Sequence, residues 1–288
     1  MSLFTVLSRV GGVDLLLHLV SLGALRRLSG LGVRRGSLRE NARAVGPTAA
    51  VLGALLLANG TVRDVGVHLS WLIGINVTGA IHAIEGGFVA DLQSFASPPL
   101  TAYFSFVYVF GYVFLLTFPL VLYALHDDTR PLSATLVAYA LNYGIGLVCY
   151  VLFVAYGPRN FMPGAVESLL FANWPEVQAL TSQVNENTNV FPSLHTSLSA
   201  TVALLAARYR STAPGWLPIA AVGAASVAVA TMYLGIHWLT DVLAGFLLAA
   251  VSVGVGARFA ERRHGEQETE SPEPLHGTAG GVVEQFRR

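Results

Sequence analysis

The chain has 288 residues, of which 53% are hydrophobic and 12% are charged, and its mean hydropathy is +0.58. A soluble domain carries about 25% charged residues, so this composition excludes an ordinary water-soluble protein. The formal net charge is zero, which excludes recruitment of nucleic acid by a basic surface. Apolar runs near the ~20 residues that cross a bilayer core predict a polytopic membrane protein with no nucleic-acid partner.

The N-terminal region, residues 1–98, is predicted to contain membrane segments and an outer amphipathic region. Residues 3–25 are apolar but carry Asp14 and His18, a composition that fits either a span or an interfacial helix. Residues 26–43 form a short arginine-rich loop, which the positive-inside rule places in the cytoplasm. Residues 44–60 then cross outward. The mixed polar and aromatic residues of 61–97 predict an amphipathic helix on the outer surface.

The central region, residues 99–258, alternates long apolar runs with short polar connections and is predicted to be the catalytic transmembrane domain. Its predicted spans are 99–125, 132–156, 192–207, 216–235 and 238–257. With the N-terminal segments this gives an all-α bundle of six or seven transmembrane helices. Its dense arginine clusters fall on one predicted side of the membrane. Residues 259–288 are polar and rich in Pro and Glu, which predicts a disordered cytoplasmic tail.

Two histidine motifs stand at the predicted outer starts of two spans. They are FPSLH, residues 191–195, and GIHWLTDVLAG, residues 235–245. His237 and Asp241 are four residues apart and share one helix face. The carboxylate can therefore accept the Nδ1 proton and leave Nε2 free as a nucleophile or base. Two crossings separate His195 from His237, and an even number returns the chain to the same face, so the two histidines can meet.

Two further residues have the chemistry of an anion site near these histidines. Ser193 stands at a helix N-terminus, where a hydroxyl and free backbone N–H groups suit an anion. Arg159 is the single cation of the predicted outer loop that ends at Phe191, and a guanidinium binds phosphate oxygens in a bidentate manner. We therefore expect Ser193 and Arg159 to bind a substrate phosphate.

The two motifs, in this order and with these spans, resemble the phosphatidic-acid phosphatase type 2 superfamily of membrane enzymes. Within it the chain most resembles the branch of inositol phosphorylceramide synthase, over residues 100–257. The resemblance implies a phosphatase or phosphotransferase for lipid phosphoesters that needs neither a metal nor another cofactor. It implies that His237 attacks phosphorus to form a phosphohistidine and that Asp241 orients it. It also implies that His195 protonates the leaving group and Ser193 helps to hold phosphate.

Three positions depart from the pattern of the superfamily. The first motif of the superfamily is a lysine that is followed, after six residues, by an Arg-Pro pair. In this chain Arg130 matches the arginine of that pair, but Tyr123 occupies the lysine position. The predicted topology also places Arg130 on the cytoplasmic side, so Arg159 is the better phosphate ligand by position. Leu194 replaces a usual glycine and Thr231 a usual arginine. The synthase branch resembles this chain at both of these positions, which favours a phosphotransferase over a simple phosphatase.

Two functions from other classes compete with this interpretation. His195, His237 and Asp241 could form the two-histidine, one-carboxylate site of a metal-dependent hydrolase. A transporter could use the same intramembrane polar residues as a relay. The metal site leaves Ser193 and Arg159 without a role, and the transporter requires broken helices or repeats that the sequence does not show.

Overall fold

A computed structural model of the chain describes residues 3–29, 37–176, 178 and 190–270. Its helices are α1 (Leu3–Ser29), α2 (Ser37–Ile73), α3 (Thr78–Glu85), α4 (Phe88–Gln93), α5 (Pro98–Phe106), α6 (Tyr112–Ala124), α7 (Arg130–Leu152), α8 (Pro158–Phe161), α9 (Leu169–Asn173), α10 (Leu194–Arg208), α11 (Trp216–Tyr233) and α12 (Leu239–Glu270). A π-helical turn, Val107–Gly111, joins α5 to α6 without a break. Two short strands, β1 (Ile75–Asn76) and β2 (Phe153–Val154), pair in parallel. The predicted all-α fold is confirmed.

Five helices of the described residues are long and apolar enough to cross a membrane. They are Leu7–Arg27, Pro98–Ala124, Arg130–Leu152, Trp216–Tyr233 and Leu239–Glu266, and Val45–Leu57 within α2 is a shorter apolar segment. The first of these includes most of residues 3–25, so length and composition now favour a span there. The fold is therefore that of a helical membrane bundle.

Helix α10, predicted as a span over 192–207, has 15 residues and is ~22 Å long. It packs against α6, α7, α11 and α12. Most of its residues are buried, including the hydroxyl residues Ser197, Ser199 and Thr201. A helix that is surrounded by protein needs neither the length nor the hydropathy of a lipid-facing one. This position explains why α10 carries so many polar side chains.

The long helix α12 has two different faces. Large apolar side chains are exposed along one of them, at Leu243, Leu247, Val251 and Val255. Exposed apolar surface of this extent is unfavourable in water and is stable against lipid. The opposite face carries small residues, which allow the backbones of α7 and α10 to approach closely. The chain is therefore an integral membrane protein with α12 at the bundle surface.

Two glycines of α12 provide a test of this close packing. A Cβ on Gly256 would lie 2.7 Å from the Ala134 carbonyl oxygen of α7, whereas a Cβ on Gly254 would meet nothing within 4 Å. We expect Gly256→Ala to destabilise the fold by about 1–3 kcal/mol, because the helices must separate. Gly254→Ala should be neutral or slightly stabilising. Thermal unfolding of both variants in one detergent checks this, and equal melting temperatures would contradict it.

The amphipathic helix predicted over residues 61–97 is divided in the structure. Helix α2 continues to Ile73, and Gly74 then lies so close to α7 that a Cβ there would be 2.9 Å from the Val151 carbonyl oxygen. Strand β1 follows and pairs with β2 directly after α7. Helices α3 and α4 come next. This pairing attaches the segment from β1 to α4 to the end of α7 that leads to Arg159.

Arginines collect at the opposite end of the bundle, which we call the arginine end. Arg130 begins α7 and pairs with Asp128 at 2.9 Å. Arg208 in the last turn of α10 pairs with Glu261. Residues Arg130 and Arg263 line one small cavity there. The predicted tail, 259–288, begins within α12, which extends to Glu270; residues 271–288 lie outside the described part of the chain.

Candidate active site

His237 lies in the tight connection between α11 and α12. The carbonyl of Thr231 accepts hydrogen bonds from the backbone N–H groups of Ile236 (2.9 Å) and His237 (3.1 Å). Gly235, which precedes both, has φ +71°, and a Cβ there would lie 2.7 Å from Val166. Only glycine adopts this conformation without strain and without that collision. The turn therefore places the His237 imidazole at the first turn of α12.

Asp241 is the buried partner of His237. Its side chain is fully buried. Its Oδ2 accepts a hydrogen bond from the Trp238 backbone N–H at 2.8 Å and lies 3.4 Å from His237 Nδ1. The bond to Trp238 is the carboxylate half of a capping box, which fixes the side chain at the helix start. The i,i+4 geometry predicted for His237 and Asp241 is thus present, with a distance at the long end for a hydrogen bond.

The second motif meets the first through the backbone. Ser193 is the N-cap of α10, and its Oγ accepts from the Thr196 N–H at 3.3 Å. The Ser193 N–H donates to the Asp241 carbonyl at 3.0 Å. His195 follows in the first turn of α10, and its ring centroid lies 6.1 Å from that of His237. The structure therefore brings both histidines to the same end of the bundle.

Arg159 lies at this end as well. Its backbone N–H donates to the Gly235 carbonyl at 3.0 Å, so α8 packs against the His237 turn. The guanidinium lies 4.6 Å from the centroid of the Phe171 ring. Its Nη1 is buried and has no hydrogen-bond partner among the described residues. Burial lowers the pKa of Arg159. An unpaired buried cation is costly, and an anionic ligand relieves that cost.

Arg130 lies elsewhere. It begins α7, whereas Arg159 follows the other end of that helix, and 23 residues of helix are ~34 Å long. The Arg-Pro pair that matches the first motif of the superfamily is therefore remote from the histidines. Tyr123, at the lysine position, is also buried near the arginine end of α6. In this chain Arg159 is the cation that the structure places beside His237.

Glu85 has a role at the site that no motif in the sequence indicates. Its two carboxylate oxygens accept hydrogen bonds from the first N–H groups of α12, those of Leu239 (2.9 Å) and Thr240. An acidic group stabilises a helix N-terminus in this way. Gln93 of α4 makes a similar contact, since its Nε2 donates to the Tyr233 carbonyl at 2.9 Å. The segment α3–α4 thus holds the turn that carries His237.

Two tyrosines of the aromatic run from Tyr103 to Phe118 also belong to the surroundings of the site. The rings of Tyr108 and Tyr112 both contact His195, with centroid distances of 4.7 and 4.6 Å. Their spacing of four residues on one helix was the available signal. No sequence pattern indicates that α10 presents a histidine to them.

The protonation state of His237 suits a nucleophile. Burial lowers its pKa to about 3, so the imidazole is neutral at physiological pH and keeps a lone pair. A metal site is less well supported by the geometry. Among residues 3–29, 37–176, 178 and 190–270, no group of three or more His, Cys, Asp or Glu side chains is placed to hold a metal ion. The competing interpretation requires His195, His237 and Asp241 to form such a group.

A buried His–Asp pair, a second histidine and an arginine whose Nη1 has no partner among the described residues can together bind and transfer a phosphoryl group. Comparison with known families agrees with this geometry, since the model of the PAP2 superfamily matches residues 82–255. No curated protein and no solved structure matches the chain. The match covers more than half of the sequence and includes Glu85, Arg159 and both histidine motifs. The chain therefore belongs to the PAP2 superfamily.

Proposed function

We propose that the protein transfers phosphoryl groups from lipid phosphoesters through a phosphohistidine on His237. One observation carries this proposal: His237 stands against the buried Asp241, with the His195 ring 6.1 Å away. The unpaired Nη1 of Arg159 at the same end supplies a charge for the substrate phosphate. Membership in the PAP2 superfamily supports phosphatase or phosphotransferase chemistry.

The reaction then has two balanced steps. In the first, the neutral His237 attacks phosphorus, a P–N bond forms, and the P–O bond to the lipid alcohol breaks. His195 gives its proton to the departing oxygen as a general acid. Asp241 stabilises the positive charge that develops on His237. In the second step, water or an alcohol gives its proton to His195 and attacks phosphorus, so that the P–N bond breaks and His237 is regenerated.

Phosphate binding is shared between Arg159 and the start of α10. Because the Ser193 hydroxyl is bonded to Thr196, its contribution comes through the N-terminus that it caps. The positive end of a helix dipole attracts a phosphate there. The guanidinium of Arg159 binds phosphate oxygens through two N–H groups at once and neutralises charge in the transition state.

We place the site on the extracytoplasmic side of the cell membrane. Arg130, Arg208 and Arg263 lie at the arginine end, and basic residues favour the cytoplasm. His195 and His237 lie at the opposite ends of the same helices. An apolar cavity of about 480 Å³ lies beside the bundle between the α5–α6 helix and α11. A cavity of this size and polarity fits a lipid chain, and its lining residues do not include His195, His237 or Arg159.

The acceptor is proposed to be an alcohol, as in the inositol phosphorylceramide synthase branch. Support comes from Leu194 and Thr231, which the chain shares with that branch in place of glycine and arginine. Incubation of the purified protein with labelled phospholipid and a panel of candidate alcohols tests the proposal by product analysis. A labelled phosphoalcohol supports a phosphotransferase, whereas release of inorganic phosphate alone would indicate a phosphatase and contradict the alcohol acceptor.

Substitution of Arg159 tests phosphate binding. We expect Arg159→Ala to lower kcat/KM about 100-fold or more, the usual effect of removing one oxyanion donor. Arg130→Ala is the matched control, because that arginine pairs with Asp128 at the arginine end, and its kcat/KM should stay near wild type. Steady-state kinetics on one lipid phosphoester compare the two variants. Equal losses of kcat/KM would show that Arg159 does not bind the substrate phosphate.

A further inference from the structure

The π-helical turn between α5 and α6 lies directly against the candidate general acid. Tyr108 belongs to this turn, and Tyr112 begins α6. The ring of Tyr108 stacks on the His195 imidazole at 4.7 Å and 27°, and that of Tyr112 contacts it at 4.6 Å and 45°. Such turns occur often at functional sites. One imidazole is thus held between two aromatic rings.

These rings are the main constraint on His195. No residue in the part of the chain that the structure describes donates or accepts a hydrogen bond with its imidazole. His237 differs, because Asp241 fixes its orientation and offers a compensating charge. A general acid also needs a fixed orientation and some stabilisation of its protonated form. At His195 the two tyrosine rings are the groups in position to provide both.

The physical basis is the charge distribution of an aromatic ring. Its face is negative, so a cation over the face is attracted, and the attraction grows when water is excluded. Tyr108 is 5% exposed, which meets that condition. The ring of Tyr112 is held in place by a second contact, because Tyr112 and Tyr143 of α7 share a side-chain hydrogen bond. The pair of rings therefore has a fixed geometry that does not depend on His195.

We propose that Tyr108 and Tyr112 are positioning residues that orient His195 and stabilise its imidazolium for proton donation to the leaving group. This inference rests on the proposed function, in which His195 is the general acid. The tyrosines touch neither the phosphorus nor the attacking nitrogen in this account. Their effect is confined to steps in which His195 gives or takes a proton.

A comparison of leaving groups isolates this role. Phosphatidic acid expels an alkoxide, which needs a proton, whereas 4-nitrophenyl phosphate expels a phenolate that is stable without one. We expect Tyr108→Leu and Tyr112→Leu each to lower kcat for phosphatidic acid about tenfold. The same variants should change kcat for 4-nitrophenyl phosphate less than about twofold. Tyr108→Phe and Tyr112→Phe keep the ring face and should stay near wild type on both substrates.

The control variant is Phe106→Leu, which removes an exposed aromatic ring of α5 that contacts Phe110 and not His195. It should leave both rates near wild type. Equal losses of Tyr108→Leu on both substrates would overturn the inference and leave a structural role. Loss in the Phe variants as large as in the Leu variants would also overturn it. If wild type releases the leaving group from neither substrate, with or without an added acceptor alcohol, the proposed function fails instead.

Discussion

We expect His237→Ala to abolish turnover and covalent labelling together. The variant lacks the nitrogen that attacks phosphorus, so no P–N bond can form. No other nucleophile of the site takes its position. Wild type mixed with ³²P-labelled lipid and quenched within milliseconds should carry label that is lost in acid and stable in alkali. The His237→Ala protein should carry none.

Two other histidines serve as comparisons for this experiment. His195→Ala should still become labelled, but about 100-fold to 10,000-fold more slowly with an alkoxide leaving group, the range of a general acid. His126 follows α6 at the arginine end, and His126→Ala should label as wild type does. Label on His237→Ala, or its absence from wild type under rapid quench, contradicts the phosphohistidine.

The second large effect is expected for Asp241→Asn, which should lower kcat about 10³-fold to 10⁴-fold with little change in melting temperature. Asparagine has the same shape, and its oxygen can still accept from the Trp238 N–H that the carboxylate now holds at 2.8 Å. The negative charge opposite the ring is lost, and the amide favours the wrong tautomer. In serine proteases the same exchange in the triad costs about 10⁴-fold.

Asp91→Asn is the matched control, because Asp91 is an exposed carboxylate of α4 and should retain full activity. Both variants are compared by kcat on one lipid phosphoester and by thermal unfolding in one detergent. If Asp241→Asn keeps more than about a tenth of the activity, Asp241 does not orient the nucleophile. If its melting temperature falls sharply, the residue is chiefly structural.

The local part of this site was accessible from the sequence. The relation of His237 to Asp241 is local in the chain, because His237 lies just before α12 and Asp241 lies in its first turn. The juxtaposition of His195 and His237 follows from an even number of passes along the bundle. The motif pattern supplied the family, and the arginine distribution separated Arg159 from Arg130. Each of these inferences uses periodicity, parity or charge, all of which are properties of the chain itself.

The contacts that support the site were not accessible in the same way. Glu85 accepts from Leu239, which is 154 residues away, and the tyrosine rings reach His195 from another helix. An aromatic residue in an apolar helix is equally compatible with lipid, with the core or with a histidine. The division of residues 61–97 likewise depends on β2, whose residues follow their partners in β1 by 78 positions in the chain. Such features are decided by tertiary packing, which sequence patterns do not encode locally.

The glycine at position 245 has a consequence for how the protein can evolve. A Cβ there would lie 2.7 Å from the Ser193 carbonyl oxygen, so the two histidine motifs touch through main-chain atoms. The spacing of the histidines is then insulated from the outward face of α12, at Leu243 and Leu247. Lipid-facing side chains can drift with the thickness or composition of the host membrane while the catalytic distance stays constant. Adaptation to a new bilayer therefore changes residues that do not set the distance between the two histidines.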